Sequence, residues 1–342
     1  MMRTKPFRPN PIHRFYDWLD KVPIPMWLFY PLLLLLSGLL LHLLAWYLGM
    51  LPSGQFNLTL LFIFIWLVES FALGHFLLRA SGPLLDGYRD QLDVDKVEFE
   101  RLRYEFTMIP NALGSLFFLL GVVLGGFVAI SVVRTTTPAV IEAFPSLAYF
   151  QWASSLGLGM MFNYFIIRQL RLISRFFALA KPIRLSNLEP VYAFSRYTAI
   201  IGFGLFMISA VNSFLLAPSN FENAYSSFLI YFFVVFALAI FYLPLRGINQ
   251  RLIAEKKNLL REVKGRIEKM FARIHRAEEK ENYKDAQGMR NLLSALNDEK
   301  VWVESISTWP WKPRTFTTLL SALFLPTILS LLNSIISRLL GL

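Results

Sequence analysis

The chain has 342 residues, 55% of them hydrophobic, with a formal net charge of +11 and no cysteine. Without cysteine there are no disulfides, no thiolate catalysis and no cysteine-ligated metal. The positive charge does not point to nucleic acid, because it falls almost wholly in alternate segments between long apolar runs, the pattern of a polytopic membrane protein.

Residues 1–25 carry Arg3, Lys5, Arg8, Arg14 and Lys21 and five prolines, so they read as a cytosolic segment with no long helix. Phe15 to Leu19 suit the membrane interface. Span one is expected at 26–49, with no small-residue cleavage site after it, and span two at 57–78. A charged loop follows, whose second half, 93–106, reads as a short amphipathic helix. Span three, 109–133, contains Gly121 and Gly125, the small-xxx-small spacing that lets membrane helices touch closely. Span four, 147–170, runs on through Arg168, Arg171 and Arg175, with its basic face toward headgroups or water. Spans five and six are expected at 193–217 and 224–245.

Residues 246–306 form the one long charged block, read as a cytosolic antiparallel hairpin with arms of roughly 246–279 and 283–306. Ile253, Lys256, Leu260, Val263, Ile267, Met270, Ile274 and Ala277 step by threes and fours, a heptad seam that only Lys256 breaks. Leu252, Leu259 and Phe271 widen it. The seam resumes at Tyr283, Ala286, Met289, Leu293 and Leu296. Residues 307–342 then hold an interfacial linker, with Trp309 and Trp311 as anchors, and span seven at 315–338.

The charge count sets the orientation. Segments assigned to the inner side hold 5, 5, 6 and 16 Lys/Arg; the outer loops hold only Arg134, and Arg338 lies near the end. The N-terminus is therefore expected in the cytosol and the C-terminus outside, in a plasma or cell inner membrane, against an inner leaflet rich in anionic lipid. The fold class is all-α, a polytopic seven-helix transmembrane bundle with a cytosolic helical hairpin between spans six and seven.

Several polar groups stand inside expected spans. Glu69 lies about a dozen residues into span two, where a carboxylate is costly and faces the bundle interior or water. It reads either as part of an ion path or gate, or as a structural hydrogen-bonding group, with His75 or Arg168 as its partner. His42 and Asn163 suit bundle-facing hydrogen bonds. In span seven, Ser330, Asn333, Ser334 and Ser337 share a face and Pro326 kinks the helix. That stripe fits a water-lined pore wall or a close-packed helix interface. The histidines, His13, His42, His75 and His275, are too scattered for a metal site, and no cofactor motif or catalytic constellation is present, so an enzyme is not expected.

Ile274, Ala277, Tyr283, Ala286, Met289, Arg290, Leu293 and Leu296 stand at the spacing of the UVR motif, with Gln287 and Asn291 departing from it. This resemblance implies a helical hairpin that docks a soluble protein, and implies nothing about nucleic acid. Over the whole chain, the layout resembles the insect chemoreceptor-like seven-span channels: an inner N-terminus, small outer loops and a hairpin before a polar last span. That resemblance implies a homo-oligomer assembled through cytosolic helices, with span seven lining the path. The aromatic-Gln signature of the gustatory members is missing from that span. A channel or receptor-like protein is therefore the first expectation, a non-conducting scaffold presenting the hairpin to a soluble partner the second, and a transporter the third.

Overall fold

A computed structural model describes residues 6–135, 145–181, 185, 188–216, 235, 238–279, 283–311, 317–318 and 321. These residues are mostly helical and contain no strand, so the fold is all-α.

Helix α1 is Ile12–Leu19. It buries Tyr16 and Leu19 and leaves Phe15 and Trp18 exposed on its other side, the split of an interfacial helix. Helix α2, Met26–Tyr47, follows the extended Pro25 and ends at Gly49, whose φ of +68° suits only glycine without strain. At 22 residues it is about 33 Å long, the thickness of a hydrocarbon core. Leu36, Leu40 and Leu43 stand exposed along it, and the aromatic rings of Trp27 and Tyr47 stand exposed at its two ends.

Span two differs from its expected form. The backbone makes a short helix, α3 (Leu58–Leu61), and a turn before helix α4, Ile65–Asp86. Asn57 sets where the short helix begins. Its side chain accepts from the Leu60 N–H (3.0 Å) and its own N–H donates to His42 (3.0 Å), which fixes the start of α3. Helix α5, Lys96–Thr107, is capped by Asp95, whose carboxylate accepts from the Glu98 N–H at 2.6 Å.

Helices α6, Asn111–Thr135, and α7, Pro145–Ala178, pack along each other antiparallel. A Cβ at Gly121 would sit 2.2 Å from the Leu156 carbonyl oxygen, and one at Gly125 would sit 2.3 Å from that of Trp152. The two backbones touch, which only glycine permits. Helix α8, Glu189–Leu216, packs on α4. The most tightly packed part of the core lies at the charged end of the bundle. There Phe106, Phe165, Phe176, Phe177 and Phe194 are all essentially inaccessible, and Phe106 meets Phe176, and Phe177 meets Phe194, edge to face.

Three of these helical segments, Met26–Tyr47, Asn111–Ile130 and Glu189–Ile208, are long and apolar enough to cross a membrane. The chain is a membrane protein on that ground. Helices α4 and α7, expected as spans two and four, fall short of that mark. They carry Ser70 and His75, and Gln151, Ser155 and Gln169, all buried inside the bundle. The bulk of expected spans six and seven, with Pro326, Ser330, Asn333, Ser334 and Ser337, lies outside the described residues.

Helices α9, Arg246–Glu279, and α10, Tyr283–Ser305, pair antiparallel. Leu252, Val263, Ile274 and Val303 are buried between them or against the bundle; Leu260, Ile267, Met270, Ala277, Met289, Leu293 and Leu296 are half-buried. The side chains of Tyr283 and Ala286 lie outside the described residues. Ile253 and Phe271 were expected to bury and do not: each is 48% exposed. The α9 stripe is wider than one partner helix covers, so its flanks face outward. An ion pair of Arg290 with Glu278, at 2.5 Å, ties the distal ends of the two arms.

Candidate functional site

The densest buried polar cluster centres on His75, which is 1% exposed in α4. Its Nε2 lies 2.9 Å from Asp20 Oδ1 and its Nδ1 lies 2.9 Å from the Tyr30 hydroxyl. Asp20 is an acceptor, so the ring proton sits on Nε2 and Nδ1 accepts from the Tyr30 O–H. The second oxygen of Asp20 pairs with Arg79, one turn along α4 from His75. Tyr16 stacks on the imidazole at 4.8 Å, and its hydroxyl donates to the Phe71 carbonyl at 3.0 Å. Burial pushes the Tyr16 phenol well above its ordinary range, with Tyr30 adding to the shift, so it stays a donor. The Tyr30 hydroxyl also lies 3.5 Å from the Phe71 carbonyl. A second proton on the imidazole would let Tyr30 turn to that carbonyl and accept from Nδ1.

The cluster also holds the N-terminal segment in place, and a second set of contacts does the same. The Ile109 N–H donates to His13 Nε2 at 2.9 Å, the Asn10 N–H donates to the Ile109 carbonyl at 2.9 Å, and the Tyr104 hydroxyl donates to the Phe7 carbonyl at 3.0 Å. Burial pushes the His13 imidazole down to about 4, against a smaller upward pull from Asp17. An acceptor nitrogen facing a backbone N–H resists protonation for the same reason.

The two partners expected for Glu69 make other contacts. His75 is engaged by Asp20 and Tyr30. Arg168 donates to the Met108 carbonyl at 3.1 Å and lies over the Phe7 ring. Glu69 itself is half-buried and has a partner of its own. His42 is fully buried, with Nδ1 on the Gly38 carbonyl at 2.8 Å and Nε2 accepting from the Asn57 N–H. Its role is to join span one to the break before α4. Asn163 was expected to reach across helices; its amide instead bonds its own helix at the Gly159 carbonyl, 2.9 Å away.

Two further polar devices escaped the sequence reading. Gln169, fully buried in α7, donates to the Phe106 carbonyl at 3.1 Å and accepts from the Tyr197 hydroxyl at 2.9 Å. Tyr197 also approaches the Leu77 carbonyl at 3.3 Å, so one glutamine and one tyrosine tie α4, α5, α7 and α8 together. The second device is the base of the hairpin. Arg251 donates to the carbonyl of Phe177 and reaches those of Ala178 and Ala180, the end of α7. Lys256 donates to the carbonyls of Glu304 and Ile306, both at 2.7 Å, the end of α10. Asn249 donates to the Thr308 carbonyl at 2.9 Å. A cation at a helix C-terminus satisfies orphan carbonyls and meets the negative end of the helix dipole. That explains the break in the seam: Lys256 takes a core position because its ammonium caps the opposite arm.

Comparison of the chain with protein-family models, with curated proteins and with solved structures finds no match.

Proposed function

We propose that the chain is a seven-span integral membrane protein that works as a homo-oligomeric channel or receptor-like protein. In this reading its charged hairpin lies in the cytosol and joins the copies, and span seven lines the path. The observation that carries the reading is the clamped base of the hairpin together with its uncovered apolar flank. Arg251 fixes the hairpin to the end of α7, and Lys256 and Asn249 tie the base of its first arm to the end of its second. Phe271, Leu292 and Trp302 then stand 48%, 57% and 47% exposed on a surface otherwise rich in charge. An arm held rigidly and left apolar in water calls for a cover, and an identical arm supplies one. His75 and Asp20, at the seat of the N-terminal segment, would bias the state of the bundle.

The experiment is mass determination of the purified protein in lipid nanodiscs, followed by recording in a planar bilayer. The reading expects a homo-oligomer that conducts, with conductance altered by Asn333→Leu or Ser334→Leu. A monomer that is silent in the bilayer would overturn it. The second reading, a scaffold presenting the hairpin to a soluble partner, is favoured by the same exposed flank. It expects no conductance and loss of a captured partner when residues 270–296 are deleted.

A further inference from the structure

Two surfaces of opposite charge hang from the same helix end. The first is the loop before α5 and the start of that helix, fixed to the end of α7 where the Asp93 N–H donates to the Leu179 carbonyl and the Lys181 N–H to that of Gln91. It carries Asp90, Asp93 and Glu100, exposed and in no ion pair with any described residue. Among them Val97 stands 60% exposed. The second surface is the lower part of α9, fixed to the same end of α7 by Arg251. Here a groove of about 610 Å³ has Ile253 and Leu260 as its apolar part and Lys257, Arg261 and Lys264 as its rim. These three cations are likewise in no ion pair with any described residue. Glu268 is the only carboxylate lining the groove, and Lys256 is spent on capping.

We propose that the hairpin groove of one copy receives the α5 shoulder of the next, with Val97 seated against Ile253 and the carboxylates on the lysine and arginine rim. This deepens the assembly reading and rests on it. The argument is chemical complementarity in one compartment. Each surface has an exposed aliphatic side chain among charges mainly of one sign, acidic on the shoulder despite Arg89 and Lys96 and basic on the groove despite Glu268, and the prevailing signs are opposite. The shoulder and the lower end of the groove are both fixed to the α7 terminus, so a second copy set beside the first in the same membrane plane brings them near the same depth. Because one patch differs from the other, the contact is head-to-tail, and it forms a ring where its rotation closes. Charges of this kind set the partner and the encounter more than the final affinity, so the assembly should weaken with salt.

The test uses the full-length protein in nanodiscs. Reversing the rim (Lys257→Glu with Arg261→Glu) or the shoulder (Asp90→Lys with Asp93→Lys) should each weaken self-association by at least about tenfold. A chain carrying both reversals should regain it. In a separate chain with native charges, Val97→Cys and Ile253→Cys should form a cross-link between differently tagged copies, on a background with no other cysteine. That cross-link decides the matter if the reversed chains fail to fold. Oligomers that ignore both reversals and give no cross-link would overturn the proposal and leave the assembly reading standing. A native chain that is monomeric would overturn both. Loss of binding to vesicles of anionic phospholipid on rim reversal, with oligomers unchanged, would assign the groove to lipid headgroups and overturn the proposal.

Discussion

The chain builds the same object twice, an antiparallel pair of long helices, and builds it in opposite ways. In the α6–α7 pair the contact side is small: Gly121 and Gly125 bring backbone against backbone. Phe118 and Val122 fill in against Gly157, while Leu116, Leu119, Val123 and Phe127 stand between 49% and 66% exposed. In the α9–α10 pair the contact side is bulky, with Val263, Ile274 and Val303 buried, and the outer faces carry lysine, arginine and glutamate. On the membrane reading proposed above, the difference follows from the solvent each pair meets. Lipid tails are as apolar as leucine, so burying leucine between helices gains little there, and close packing of small residues decides. In water, burial of large apolar side chains provides the drive, and the charged exterior keeps the pair soluble.

The largest effect should come from filling the glycine contact. Gly121→Leu would press a side chain into the Leu156 carbonyl, where even a Cβ has no room. We expect a loss of about 3 kcal/mol or more, or no folded protein at all, read as unfolding in detergent. Gly126→Leu, five residues further along α6 with open space around it, should be nearly silent. If both variants behave alike, the pair is not held by backbone approach.

In the hairpin the equivalent change is large to small. Ile274→Ala should cost about 2 kcal/mol, read as earlier loss of hairpin helicity while the bundle's own unfolding stays put. Next comes Lys256→Met, which keeps the apolar stem and deletes the cap on the Glu304 and Ile306 carbonyls. We expect about 1–2 kcal/mol, seen as faster amide exchange in the last turn of α10. Unchanged exchange there would remove the explanation given for the break in the seam.

A separate effect is a pH dependence at the N-terminal segment. The folded pKa of His13 is lowered to about 4 from an ordinary 6.5, so the neutral ring is the docked form. Its contribution is complete above pH 6.5 and is lost as pH falls through about 4. Amide exchange across residues 8–20 should rise over that window. His13→Gln, which keeps an acceptor for the Ile109 N–H, should flatten the rise.

The sequence marks the helices well where periodicity and composition agree. The hairpin arms fall within a residue of their expected ends, because a heptad seam bounded by a polar turn has few other solutions. The extension of span four into its arginines is equally readable, since Leu172, Ile173, Phe176 and Phe177 keep the apolar side going beyond the membrane run. Side-chain partnerships are not readable in the same way. Proximity along the chain offers Glu69 as one partner for His75, whereas the carboxylate that bonds its ring comes from Asp20, 55 residues earlier. Gln169 was hidden between Arg168 and Arg171, and nothing in local spacing marks it as the buried tie among four helices. The start of α3 at Asn57 is held by His42 across the turn, a contact that hydropathy cannot register.

The account rests on two solvents for two helix pairs, and the cysteine-free chain allows a direct measurement. Single cysteines placed at Leu124 and at Leu292, 50% and 57% exposed, should behave oppositely in sealed vesicles opened to a water-soluble maleimide. The account predicts rapid labelling at Leu292→Cys and essentially none at Leu124→Cys until detergent is added. Equal labelling at both positions would show the α6 face to be wet and would contradict the account.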